Sequence, residues 1–140
     1  MRFVETSLAE FLRTGRIGPI HQGMKRSDVR RILGYPQTGG WAYQRGSSPC
    51  WYYGSVEIGF HPRGLYRDRV DYLQVRRGQH NRFTGWGRLH FNDDGFRPYT
   101  ATLPDVYRFG RTHGIPLLPI WNKLRNPEPG LLTPGGVGRG

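Results

Sequence analysis

Glycine and proline punctuate this chain so densely that it cannot be built mainly from long helices and strands. The 140 residues include 21 glycines and 11 prolines, close to the fraction at which parts of a chain stop folding. Eight of these residues fall in the last fifteen, "NPEPGLLTPGGVGRG" (126–140). We therefore expect one loop-rich domain over residues 1–125, followed by a flexible tail over 126–140.

Two short amphipathic helices are predicted in the first 35 residues. In "SLAEFLRT" (7–14), Ser7 and Glu10 have the spacing of a capping box. In the second segment, "SDVRRIL", Ser27 is in position to cap the helix and Gly34 to end it. Helices of this length are marginal alone, so we expect both to pack on a sheet.

Alternation of apolar and polar residues predicts the strands of that sheet. The predicted strands lie at 52–60, 69–75 and 87–92, with a short edge strand at 41–44. In the second strand the alternation slips between Tyr72 and Leu73, which indicates a β-bulge or burial of both faces. Asp94 and Gly95 then form a turn signal after the third strand.

A third helix is predicted near the C-terminus, over 102–112. Thr102 is placed to cap it, Pro104 is tolerated in its first turn, and Gly114 follows as a stop. The predicted fold is therefore α+β. Two short N-terminal helices pack on an antiparallel sheet of three or four strands, and a C-terminal helix and the flexible tail follow.

The segment "GMKRSDVRRILGYP" (23–36) resembles a motif found in two kinds of small protein, G-M-[ST]-x-x-[DE]-V-x-x-x-L-G-x-P. One kind is the outer-membrane assembly lipoproteins of the SmpA/OmlA type. The other is a group of actinobacterial proteins, some of which resemble immunity proteins of toxin systems. The second kind typically continues with a strand similar to "WYYGSVEIGF" (51–60), which favours it here.

The resemblance covers about residues 17–75, and its motifs are structural. It implies a helix–helix–sheet fold and, more weakly, an immunity-type role, because such modules recur with unrelated functions. A lipoprotein is disfavoured, since Glu5 and Glu10 interrupt any apolar leader and no cysteine lies near the N-terminus. No stretch approaches the roughly 20 apolar residues that span a membrane. We expect a cytoplasmic protein with no membrane partner.

The chain is strongly basic, with 21 Lys and Arg residues against 10 Asp and Glu residues and a formal charge of +11. Such a charge indicates an acidic protein or a nucleic acid as partner. A codon bias toward arginine, glycine and proline explains the same composition without any partner. The basic residues form no continuous block, which is unlike a nucleic-acid-binding tail.

We expect a partner protein to contact exposed arginines and one tryptophan, the residue types enriched in interface hot spots. The predicted partner-binding residues are Arg26, Arg30, Arg67, Arg69, Arg76, Arg77 and Trp86. The leading hypothesis is a non-enzymatic module that binds an acidic protein, of the immunity type if anything specific. The alternative is nucleic-acid binding through 66–88, where arginines alternate with aromatic residues that can stack on bases.

Catalytic, metal and cofactor sites are not predicted. Cys50 is the single cysteine, which excludes an intramolecular disulfide, and no partner base can be named for its thiol. His80 and His90 together with Asp93 and Asp94 lack the spacing of a metal site. No glycine-rich phosphate loop precedes a helix. We therefore predict that the protein is not an enzyme and needs no cofactor.

Overall fold

The computed structural model describes residues 2–37, 48–76, 81–122, 128–133 and 136–139, with side chains described as far as residue 117. The predicted edge strand at 41–44 and Arg77 lie outside these ranges. The fold is α+β, as predicted, and its described part contains three helices and eight strands.

The elements follow one another along the chain in a mixed order. They are β1 (Val4–Ser7), α1 (Leu8–Thr14), α2 (Arg26–Leu33), β2 (Cys50–Tyr53), β3 (Val56–Phe60), β4 (Val70–Val75), β5 (Leu89–Asn92), α3 (Leu103–Thr112), β6 (Leu118–Asn122), β7 (Glu128–Thr133) and β8 (Gly136–Arg139). Among the described residues, no helix is both long and apolar enough to cross a bilayer.

The first helix begins as its sequence indicates. The Ser7 hydroxyl accepts a hydrogen bond from the Glu10 backbone at 3.1 Å, and Gly15 ends the helix in the left-handed conformation at φ 73°. The Glu10 carboxylate lies 3.4 Å from the Thr6 hydroxyl. The cap at Ser7 is therefore confirmed, but the reciprocal bond of the predicted capping box is not found among the described hydrogen bonds, where the Glu10 side chain pairs with Thr6.

The second helix starts earlier than predicted. Lys25 is its N-cap and makes no side-chain capping bond, so the prediction of Ser27 as the cap is wrong. The reason is a contact from a distant loop: the Arg26 N–H donates to the carbonyl of Asp68 at 2.8 Å. That bond satisfies one of the first N–H groups of the helix, which have no acceptor within the helix. Gly34 follows the helix, as expected.

The predicted strand at 52–60 is two strands joined by a tight turn. β2 and β3 pair antiparallel, with Tyr53 opposite Val56, and the chain reverses at Gly54 and Ser55. Gly54 has φ +67°, and a Cβ there would lie 2.6 Å from the carbonyl oxygen of Gly85. Only glycine combines that conformation with so close an approach, and the uninterrupted apolar pattern around it conceals the reversal.

β3 also pairs antiparallel with β4, and the sheet order is β2–β3–β4. The register shifts so that Gly59 faces Tyr72 while Phe60 faces Val70, which leaves Asp71 as an extra residue. A bulge is thus confirmed, one residue before the predicted slip. The ring of Tyr72 occupies the space that a side chain at Gly59 would need.

β5 does not join this antiparallel sheet. It pairs in parallel with β1, from Val4 opposite Leu89 to Ser7 opposite Asn92. The prediction of an antiparallel sheet of three or four strands is therefore right for β2–β4 and wrong for 87–92. β1 was not predicted at all, because its partner lies more than 80 residues away and the four residues show no clear alternation.

One hydrophobic cluster joins α1, α2 and both of these sheets. Val29 and Leu33 of α2 are fully or almost fully buried, as is Ile58 of β3. Trp51 and Phe60 meet edge to face with ring centroids 4.9 Å apart. The core therefore lies between the two helices and the two sheets, and the Trp51–Phe60 pair is the part of it that Arg26 of α2 covers.

The C-terminal helix matches its prediction. Thr102 and Asp105 form a complete capping box, and Gly110 packs against the carbonyl of Ile115, which leaves no space for a side chain. Beyond it, β6, β7 and β8 form an antiparallel sheet, where the sequence predicted no strand. The mobility of residues 126–140 stays a prediction.

Candidate binding site

The loop between β3 and β4, residues 61–69, is held against the start of α2. Asp68 adopts the left-handed conformation at φ 60°; its N–H donates to His61 and its carbonyl accepts from Arg26. A non-glycine residue in this region is uncommon, although aspartate tolerates it better than most. The loop therefore has a defined shape that presents Leu65, Tyr66 and Arg67 at its outer end.

The loop, β2 and α2 line an open cleft of about 590 Å³, which we call the basic cleft. Its lining residues are Lys25, Arg26, Ser27, Arg30, Trp51, Leu65, Arg67, Asp68 and Arg69. Five of these side chains are basic and one is acidic. Four of the seven residues predicted to bind a partner, Arg26, Arg30, Arg67 and Arg69, meet here although they come from two distant segments.

Arg26 forms the floor of the cleft. Its side chain is only 13% exposed, and its guanidinium lies 4.0 Å from the ring centroid of Phe60 and 5.1 Å from that of Trp51. It donates to the Ser48 carbonyl at 2.7 Å and to the Asp68 carboxylate at 3.1 Å. These contacts join α2, the sheet and the loop, so Arg26 primarily positions the cleft.

The outer cations of the cleft, Lys25, Arg67 and Arg69, make fewer contacts with the rest of the protein than Arg26 does. The Arg67 side chain is 73% exposed and lies 3.9 Å from Asp68, a separation that contributes little at a surface. Arg69 donates to the carbonyl of Gly23 at 3.0 Å, which leaves its other guanidinium donors for a ligand. Lys25 is exposed beside them. The mouth of the cleft therefore carries positive charge that the single Asp68 carboxylate does not balance.

Apolar groups lie among these charges. Leu65 is 90% exposed and Tyr66 is 61% exposed. Tyr35, 64% exposed, stacks under the Arg30 guanidinium at 4.1 Å and bonds to it through its hydroxyl. Exposed leucine costs free energy that burial by a partner recovers. Tyrosine and arginine are the residue types that dominate protein interfaces.

Arg76 lies apart from the basic cleft. It pairs with Glu57 at 3.3 Å and lies over the ring of Tyr52 at 5.4 Å, on the face of the sheet that the core does not cover. A hydrogen bond with Cys50, followed by burial and the contact with Glu57, raises the pKa of Tyr52 to about 12. The role of Arg76 in this cluster is to neutralise the buried Glu57 carboxylate.

Trp86 belongs to a separate groove of about 740 Å³ over β1 and β5. Glu5 and Glu10 line that groove with it, so its charge is unlike that of the basic cleft. Trp86 is 39% exposed. Of the predicted partner-binding residues, Arg76 and Trp86 are therefore not brought to the cleft, and Arg77 lies outside the described residues.

The stretch 66–88, predicted as a nucleic-acid surface, is divided by the fold. Phe83 is buried with 8% exposure, so its ring cannot stack on a base. Arg82 pairs with the buried Asp93 at 3.1 Å, and Arg88 donates to the Arg31 carbonyl at 3.2 Å. The described arginines and rings of this stretch do not form one continuous surface.

The histidines and carboxylates do not gather around a common point in the described part of the chain. No three His, Cys, Asp or Glu residues there lie close enough to hold a metal ion. His90 stacks on Phe3 at 4.4 Å, and the Cys50 thiol lies 3.3 Å from the Tyr52 hydroxyl.

Sequence reasoning missed five of the nine cleft residues, namely Lys25, Ser27, Trp51, Leu65 and Asp68. The available signal was the pattern "RGLYRDR" (63–69), in which an apolar pair is flanked by arginines. No protein-family model, curated protein or solved structure matches this chain. The resemblance of 17–75 to immunity-type and SmpA/OmlA-type proteins therefore stays a prediction.

Proposed function

We propose that this protein is a non-enzymatic module that binds an acidic protein through the basic cleft. The observation that carries the proposal is the convergence of Lys25, Arg67 and Arg69 around Leu65 at the mouth of one concave surface. Positive charge steers an acidic partner and speeds its capture. The exposed leucine and tyrosines supply apolar area that is buried once the partner has docked.

The single carboxylate of the cleft, that of Asp68, does not neutralise its outer cations. It bonds to Arg26 at 3.1 Å, and the Arg26 side chain is only 13% exposed. The outer cations keep their charge for a partner. The carboxylates of an acidic partner replace the water around the exposed Lys25 and Arg67 side chains.

The partner class that we propose is a toxin protein. This step depends on the resemblance of "GMKRSDVRRILGYP" and "WYYGSVEIGF" to immunity-type proteins, and the cleft adds only the requirement that the contacting surface be acidic. Binding in a cytoplasmic setting, as expected for a chain with one cysteine, is part of the same proposal.

The experiment compares two double variants with the same loss of charge. Lys25→Gln/Arg67→Gln removes two cleft cations, and Arg16→Gln/Arg108→Gln removes two exposed arginines elsewhere. The probe is a capped peptide of alternating Glu and Leu, with a Gln–Leu peptide as its control, measured by fluorescence anisotropy. We expect affinity to fall roughly tenfold in the cleft variant and to stay within about twofold of wild type in the other.

Equal losses in both double variants would show binding by net charge alone and would contradict the proposal. Nucleic-acid binding is tested in parallel with an oligothymidine strand. If that strand binds more tightly than the peptide, with an affinity that falls steeply with salt and after Arg76→Ala/Arg77→Ala, the alternative replaces the proposed function.

A further inference from the structure

Two hydrogen-bond donors beside the basic cleft have no acceptor among the described residues. In the first turn of α2, the N–H of Arg26 donates to Asp68 and that of Asp28 donates to Lys25. No acceptor for the Ser27 N–H between them is found among the described residues. The second donor is the indole N–H of Trp51, a residue with 2% exposure, which likewise has no partner in the part of the chain that is described.

The Trp51 donor requires an explanation because it is buried. A buried donor without an acceptor costs about 1–3 kcal/mol, and native proteins rarely leave one unpaired. Trp51 forms part of the wall of the basic cleft. A ligand that brings an oxygen acceptor to this wall would supply the missing bond.

We infer that the inner end of the basic cleft is an oxyanion subsite that takes a carboxylate of the partner's Asp or Glu side chain. The carboxylate accepts from the Ser27 N–H and hydroxyl and from the Trp51 indole N–H, while Lys25 and Arg67 balance its charge. The positive end of the α2 dipole favours an anion at this position. This inference rests on the proposed function and names the group that the partner supplies.

A carboxylate fits the surroundings better than a phosphate. Leu65 at the mouth, 90% exposed, needs an apolar neighbour that a peptide carries and a phosphate lacks. Both ligands share oxyanion chemistry, so the test includes each of them.

Access to the indole N–H requires a small movement. The Trp51 nitrogen is shielded from solvent, and the Arg26 guanidinium lies over the ring at 5.1 Å. In this proposal the Arg26 guanidinium keeps its bond to the Ser48 carbonyl and shifts from the Trp51 ring toward the incoming carboxylate, which replaces Asp68 as its ionic partner. The subsite is thus completed when the ligand enters.

The test follows the Trp51 indole N–H and the Ser27 amide by two-dimensional nitrogen–proton NMR of the whole protein. The indole signal is assigned through its contact with the Phe60 ring, 4.9 Å away, so no core substitution is needed. Sodium acetate and sodium phosphate are the small probes, and sodium chloride at equal ionic strength is the control. The Glu–Leu peptide is the third probe.

We expect both signals to move saturably with acetate and, at lower concentration, with the peptide, but not with chloride. Lys25→Gln raises the acetate midpoint roughly threefold, while Arg16→Gln leaves it unchanged. A phosphate midpoint well below that of the peptide would overturn the choice of carboxylate. If the peptide binds through Lys25 and Arg67 without moving either signal, the subsite is wrong and the proposed function stands; if the peptide does not bind, both fail.

Discussion

Asp93 shows how one buried charge organises this arginine-rich chain. It is 4% exposed and pairs with Arg82 at 3.1 Å and Arg97 at 3.0 Å, while the Gly95 N–H donates to its other oxygen at 2.9 Å. Burial alone raises the pKa of this carboxyl, but the Gly95 bond and the two arginines outweigh it. The pKa of Asp93 therefore lies below its usual value.

A lowered pKa in the folded state makes stability depend on acid. Asp93 stabilises the fold above the pKa of an unfolded aspartate, about 3.9, and this contribution is lost as the pH falls through the lower pKa of the folded state. Asp93→Asn should cost about 1–3 kcal/mol of unfolding free energy at pH 7 and less at pH 3. Urea unfolding of both proteins at the two pH values measures this, and an equal cost at both contradicts the assigned role.

At the scale of elements, the start of α3 depends on its capping box. The Thr102 hydroxyl accepts from the Asp105 N–H at 3.4 Å, and the Asp105 carboxylate accepts from the Thr102 N–H at 2.9 Å. Thr102→Ala should lower the unfolding free energy by about 1 kcal/mol. Thr112→Ala, the same change at the exposed other end of the helix, should stay within about 0.5 kcal/mol of wild type. Denaturant unfolding checks both, and equal effects would show that the cap is not the cause.

The elements that were predictable from the sequence are those that depend on residues close together in the chain. The three helices were predictable because Ser7, Gly34 and Thr102 act on neighbouring residues. The hairpin at Gly54 and the β1–β5 pair were not, since one needs the close approach of Gly85 and the other a partner more than 80 residues away.

The candidate site was likewise only partly predictable from the sequence. Arg26, Arg30, Arg67 and Arg69 were identified by residue type, but their meeting depends on the bond from the Arg26 N–H to Asp68. That contact joins segments 42 positions apart, which no local pattern reports. The fold also keeps two other predicted residues away from them. Arg76 pairs with Glu57, and Trp86 lies in the separate groove.

At the scale of the whole molecule, the charged residues behind the formal charge of +11 are unevenly distributed between two concave surfaces. The basic cleft gathers five cations around Leu65, while Glu5 and Glu10 line a separate groove. A codon bias explains the number of arginines but not this separation. We therefore predict that the response to an acidic ligand depends on where a charge is changed, beyond the effect of the change on net charge.

Removing a negative charge from the cleft tests this claim most directly, because unfolding cannot mimic a gain of affinity. Asp68→Asn keeps a side chain that tolerates φ 60°, and Glu5→Gln makes the same change in charge at an exposed site in the other groove. Titration calorimetry with the Glu–Leu peptide should show Asp68→Asn binding roughly threefold more tightly and Glu5→Gln binding as wild type does. An unchanged affinity for Asp68→Asn, or an equal gain in both variants, would contradict the account.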